Sequence, residues 1–237
     1  MPGSILKAGA RTLIFQNSPR IFIISILYII FITVVSGLIY SLVIVNFIQV
    51  LTDNLYSGVL PDYRILITGI RPVGFFLALI LTLLQPVLDV GFISYCLKVT
   101  RMQDTEIRDL FNGFLFFTRV LLIFIIQTVF IFLWSLLFII PGIVASYRYR
   151  LAYYILLDDP KKGALQCISE SALLMNGRKL DLLTLDISFI GWYILDFAIV
   201  IFMPFPFFIS ILSIWISPYV GLTRAAFYES LVADVAV

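Results

Sequence analysis

Long apolar runs alternate with short charged stretches along the chain, and charges and prolines bound the runs at about 21–50, 73–97, 120–140, 142–157, 187–203 and 207–223. A bilayer core of about 30 Å takes about 20 helical residues, so the first three runs are full spans and the last three are short ones. The pattern predicts an all-α membrane protein, a six-helix polytopic bundle forming a single integral membrane domain over residues 1–237. The core of a cleavable signal peptide is about 7 to 15 residues long, and the run from Ile21 to Val50 is twice that, so it is expected to stay as the first span.

Positive residues set the topology, because cytosolic loops next to spans carry the excess of Lys and Arg. Pro141 lacks an amide proton and Gly142 permits a tight reversal, so "IIPGI" suits a hairpin. With that reversal, twelve of the sixteen Lys and Arg residues lie inside, against Arg64 and Arg71 outside and Arg148 and Arg150 within a span. One bent span over 120–157 would instead place Lys161, Lys162, Arg178 and Lys179 outside. The expected protein therefore has both termini cytosolic.

The polar stretches between spans predict short cytosolic interfacial helices. Over residues 158–179, Asp159 is the expected N-cap and Pro160 the first helical position, Leu165, Ile168, Ala172 and Met175 recur at helical spacing, and Gly177 ends the helix. Lys161, Lys162, Arg178 and Lys179 flank it where lipid headgroups would sit. Residues 101–114 read as a cytosolic linker, and 51–72 as the one substantial external loop, broken by Asp53, Gly58, Pro61 and Pro72. Trp134, Trp192, Tyr193, Trp215 and Tyr219 fall toward span ends, as anchors do.

Composition agrees: 62% of residues are hydrophobic and 13% charged, and mean hydropathy is +1.09, far from a soluble domain. The net charge of +2 is dispersed and excludes a nucleic-acid surface. The absence of histidine and the wide separation of Cys96 and Cys167 remove His-based acid/base chemistry and zinc sites, and both cysteines read as structural. There is no G-x-x-x-x-G-K-[ST] loop and no G-x-S-x-G elbow. The paired carboxylates Asp158 and Asp159 point apart on a helix. No catalytic residue, metal site or cofactor is predicted, and the protein is not expected to be an enzyme.

What remains is a set of charges inside spans: Asp89, Arg148, Arg150 and Asp196. Each costs about 2.5–3.5 kcal/mol in hydrocarbon, so such residues face the bundle and find partners. At 1.5 Å per residue all four lie about 10 to 13 Å from the cytosolic ends of their spans, in one layer. Arg150 shares a helix side with Ser146, Tyr147, Tyr153 and Tyr154, while Arg148 shares the other with Ala145, Leu151 and Ala152. Asp89 and Asp196 are the expected counter-charges. Gly142 and Ser146, at small-xxx-small spacing, are expected to pack within the chain.

Three stretches, "IIPGIVASYRYRLAYYILLDDP", "ISESALLMNGRKLDLLTLDISFIGWYIL" and "SPYVGLTRAAFYESL", resemble the DUF975 family of uncharacterised bacterial integral membrane proteins, over roughly residues 90–231. The resemblance implies a multi-pass protein of the bacterial cytoplasmic membrane and brings no catalytic residue with it. One departure is "MPFPFFISILSIWISPY", with two prolines where family members carry glycines. Two functions follow from the whole pattern. The first is a non-catalytic membrane component, a scaffold, assembly factor or partner subunit whose partners are the lipid bilayer and another membrane protein or a second copy. The alternative is a small-molecule or ion transporter that uses the intramembrane charges, with helices broken at Pro86, Pro141 and Pro204.

Overall fold

A computed structural model describes residues 3–41, 72–202 and 211–236, together with Ile48, Thr52 and Tyr56. Most of the predicted external loop, with Arg64 and Arg71, and the outer turn with Pro204 and Pro206 lie outside the described residues. Among the described residues all regular structure is helical. The helices are α1 (Gly3–Gln16), α2 (Arg20–Tyr40), α3 (Pro72–Thr100), the single turn α4 (Asn112–Leu115), α5 (Phe117–Leu137), α6 (Ile139–Arg148), α7 (Ala152–Asp158), α8 (Ala164–Leu174), α9 (Lys179–Ile187), α10 (Ile190–Phe202) and α11 (Ile211–Ala236).

Four helical stretches are long and apolar enough to cross a membrane: Arg20–Ile39, Phe76–Thr100, Phe117–Leu137 and Lys179–Ile199. The fourth begins eight residues before the predicted span at 187 and takes in α9, which matters for the site below. The predicted span at 142–157 is two short helices, α6 and α7. From Ile211 on, the last predicted span, 207–223, is part of a helix that continues to Ala236 through Arg224, Glu229 and Asp234. Those charges do not end the helix, because each has an opposite charge on another segment.

The chain divides into two compact units, Met1–Ile29 with Val87–Val237, and Ile30–Pro86. In the smaller one, the first half of α3 exposes Phe76, Leu77, Leu79 and Ile80, a surface suited to lipid, and the Thr82 hydroxyl donates to the Ala78 carbonyl.

In the larger unit α5 and α6 form a hairpin. The reversal falls at Phe138, which is extended (φ −163°, ψ 158°), three residues before the predicted Pro141-Gly142 turn. Pro141 instead occupies the first turn of α6, where its missing amide costs nothing. Gly142 serves the packing rather than the turn. A Cβ there would overlap Ser135 Oγ and lie 3.0 Å from the Ser135 Cβ, so the glycine lets α6 press against α5. The tip of the hairpin, Phe138, Ile139 and Ile140, is 75%, 79% and 74% exposed, which in water would be untenable and in hydrocarbon is favourable.

The segment 101–114 is more than a linker. Ile107–Phe111 forms a 3-10 turn that, with α4, lies directly on α3, where Gly91 meets the Leu110 carbonyl and Gly113 meets the Val87 carbonyl. Polar contacts fix it there. Buried Asp109 accepts from Lys98 (2.6 Å), the Glu106 amide (2.8 Å) and Asn112 (3.3 Å), and Asn112 also donates to Ser94 (3.0 Å). Burial works against the charged carboxyl, but the Glu106 amide and Lys98 outweigh it and hold Asp109 below the usual carboxylate range. A folded-state pKa depressed in this way adds stability that is present above about pH 4 and lost as the pH falls through the folded value. Thermal melts in detergent from about pH 3 to 7 check it. Asp109→Asn should melt lower at neutral pH and lose part of the parent's decline on acidification.

The helix predicted over 158–179 is shorter, Ala164–Leu174, and starts after Gly163 rather than Pro160. Asp159 does not cap it; its amide closes α7 onto the Ile155 carbonyl and its carboxylate accepts the Lys161 amide at 3.1 Å, a turn in itself. Ala164, Cys167, Ile168, Ser171 and Met175 are buried, and Gly177 has a left-handed φ of +75° beyond the helix end. Cys96 and Cys167 are both free and buried.

α11 organises the rest. α9 and α10 run antiparallel to it, as Asp196–Ser213, Asp186–Arg224 and Arg178–Asp234 descend in order along the two. α1 lies against α11 through Leu6, Ala10 and Ile14, spaced four apart on one face. Arg11 donates to the Tyr219 hydroxyl (3.2 Å), and Trp215 packs between Phe15 and Phe22. Trp215 and Tyr219 thus pack between helices, whereas Trp134, Trp192 and Tyr193 are exposed at 43%, 39% and 45%.

Candidate functional site around a broken helix

The Pro141-Gly142 pair stands at the start of the predicted span 142–157, and nothing later in it breaks a helix by propensity. The helix nevertheless breaks at Tyr149–Leu151, and the cause sits on other helices. Gln127 of α5 donates its side-chain amide to the Tyr149 carbonyl at 2.7 Å. Ser171 of α8 acts twice: its hydroxyl accepts from the Leu151 amide (3.1 Å) and donates to the Arg148 carbonyl (3.0 Å). Polar side chains inserted into the ladder replace the bonds the helix gives up, which is the condition for irregular backbone within a membrane protein.

Arg150 stands in the break. It is exposed, and yet charged and hydroxyl groups from three other segments surround it: Asp89 of α3, Asp186 of α9 and Arg224 of α11 lie within electrostatic reach, as do Tyr147 and Tyr154 beside it in sequence. Arg150 is thus accessible at the break, with these groups in its electrostatic neighbourhood. Among the described residues Arg150 makes no ion pair.

The other charged members of the cluster are satisfied within the protein. Arg224 donates through Nε (3.1 Å) and Nη2 (2.9 Å) to Asp186 Oδ1, and the Tyr147 hydroxyl donates to Asp186 Oδ2 at 3.2 Å. Asp89 accepts from the Tyr28 hydroxyl at 2.8 Å, with the Tyr28 ring stacked on Phe92. Tyr154 is buried against Tyr228, with ring centroids 5.0 Å apart, and Tyr153 lies within electrostatic reach of Asp89.

The structure does not assemble the layer of Asp89, Arg148, Arg150 and Asp196. Asp196 accepts from Ser213 (3.0 Å) and pairs with neither arginine. A span starting at 187 would put Asp196 at the depth of the arginines; with the helix starting at Lys179, it is Asp186 that lies within electrostatic reach of Arg150, and it bonds to Arg224. Arg148 is exposed, its guanidinium over the Tyr149 ring at 5.7 Å. Of the headgroup candidates, Lys162 pairs with Glu170 (2.6 Å) and Arg178 with Asp234 (3.0 Å) and Asp181 (3.5 Å), while Lys161 is exposed and, like Lys179, has no ion pair among the described residues. Sequence reading also passed over Arg101, which joins Asp158 and Glu229 at 2.7 Å each, with the Tyr228 hydroxyl donating to Asp158 at 2.6 Å.

Long apolar helices carrying an internal, mutually bonded set of charges define a membrane protein, all-helical among its described residues. Comparison adds a similarity: residues 136–234, in the carboxy-terminal part of the chain, match the DUF975 family, described as a protein of unknown function. The matched segment includes the helix break, Ser171, Asp186 and Arg224, and leaves out Tyr28, Asp89 and Gln127. No curated protein and no solved structure matches the chain.

Proposed function

We propose that the chain is a non-catalytic multi-pass protein of the bacterial cytoplasmic membrane, with both termini cytosolic, that works as a small-molecule or ion permease. One observation carries the reading: an accessible arginine without an ion pair among the described residues occupies a helix break whose backbone is already satisfied by Gln127 and Ser171. An arginine that only staples helices would be paired as Arg224 is, since unpaired charge in hydrocarbon costs about 2.5–3.5 kcal/mol. Discontinuous helices at mid-membrane are where transporters hold their cargo. Six passes and cytosolic ends are supported by the charge asymmetry of the loops, by the α5–α6 reversal and by the antiparallel course of α9–α10 against α11.

The test is swelling of vesicles that contain the purified protein, placed in isosmotic sodium phosphate, sodium acetate, potassium chloride, glycerol or alanine. At least one solute should enter faster than into empty vesicles, and Arg150→Ala should lower that rate about tenfold or more while the protein remains folded. Rates equal to those of empty vesicles for every solute overturn the permease reading. Stoichiometric co-purification of a second membrane protein would then assign the chain to the scaffold or partner-subunit class.

A further inference from the structure

We infer that Arg150 recognises an oxyanion, a carboxylate or phosphate group, that reaches it at the break between α6 and α7. The inference rests on the permease reading of the same helix break and names the chemistry of what it admits.

Most polar groups around Arg150 are already engaged. Both bonding nitrogens of Arg224 reach Asp186, both oxygens of Asp186 are used, and Asp89 holds the Tyr28 hydroxyl. The carbonyls and amide freed by the helix break are taken by Gln127 and Ser171. The Arg150 guanidinium makes no hydrogen bond or ion pair to a described residue, and neither do the hydroxyls of Tyr154 and Tyr193, which lie within its electrostatic reach.

A planar fork of N–H donors fits an acceptor with two or more oxygens on one centre. A cation is disfavoured there, since it would meet Arg150 with the nearest carboxylates already bonded to Arg224 and Tyr28. The remaining acceptor on the protein side, Asp89, is not within ion-pairing distance of Arg150 among the described residues, so the arginine has no internal oxyanion of its own.

The probes are inorganic phosphate and acetate, with chloride at matched ionic strength as control. The full chain is purified in dodecyl maltoside, whose headgroup carries no phosphate, and its melting temperature is followed as each anion is titrated. A saturable rise with phosphate or acetate is expected in the parent and in Arg148→Gln, with apparent affinity about tenfold or more weaker in Arg150→Gln and intermediate in Arg150→Lys. A second arm replaces the free anion with phosphatidylglycerol in mixed micelles. An Arg150-dependent rise in that arm alone assigns the oxyanion to a lipid headgroup, and a rise with the free anions assigns it to a solute. Rises that are absent, or equal in the parent and Arg150→Gln, overturn the inference; Arg150→Lys replaces Arg150→Gln in that comparison if the latter does not fold. Vesicle flux of glycerol or potassium with no Arg150-dependent anion effect would leave the permease and remove the oxyanion, whereas anion binding without flux would do the reverse.

Discussion

Gly91→Ala is expected to yield no folded protein. A Cβ at residue 91 would overlap the Leu110 carbonyl oxygen and sit 2.6 Å from the carbonyl carbon, and both atoms are backbone. A flexible side chain could swing away, but this carbonyl belongs to the 3-10 turn that is also held by Asp109 and Asn112. To admit one methyl group the whole segment must lift off α3, which would break those bonds and the reciprocal contact of Gly113 with the Val87 carbonyl. The penalty belongs with the rare substitutions that cost more than about 4–5 kcal/mol. Size-exclusion profiles after detergent extraction read it, with Gly9→Ala as control because nothing lies within 4 Å of a Cβ there. A Gly91→Ala protein that elutes and melts like its parent would show that the turn does not rest on α3.

The second large effect concerns the ion pair. Arg224→Leu should cost about 3–5 kcal/mol, the range for removing one member of a buried pair and leaving its partner charged. The side chains of Asp186 and Arg224 are only 15% and 27% exposed, and Asp186 would keep a single bond, from Tyr147. Joint replacement by Asp186→Leu and Arg224→Met should recover most of the loss, because no lone charge remains. Asp196→Leu, by contrast, gives up a bond with Ser213 and should cost about 0.5–1.5 kcal/mol. Melting temperatures of the four proteins in one detergent separate the cases. If Asp196→Leu is the more damaging, the arginines depend on Asp196 after all.

These cases mark what could be read from residues alone. The apolar runs and the chain reversal before α6 are local properties, so they stand out in sequence, with an error of three residues at Phe138 because Pro141 fits the first turn of a helix as well as it fits a bend. The helix break is not local. Nothing in "SYRYRLA" interrupts a helix; Gln127 and Ser171 do, from twenty or more residues to either side, and neither carries a mark of that role. Asp186 escapes a sequence reading for a related reason: "RKLDLLTLDI" looks polar enough to end a span, yet α9 continues into α10 with only a short turn between them. Arg224 reads as a residue of the cytosolic boundary, whereas its partner sits 38 positions away. Arg150 and its tyrosines are visible because charge within an apolar run is conspicuous whatever surrounds it.

The packing of α1 on α11 bears on how the chain is made. Arg11 and Tyr219 are 208 residues apart, and at about 5–20 residues per second a ribosome needs on the order of ten seconds or more to supply the second after the first. Throughout that interval Leu6, Ala10 and Ile14 lack the helix that covers them, so α1 cannot take its place until α11 has been made. Docking of α1 is therefore a late step in assembly, although its residues are made long before those of α11.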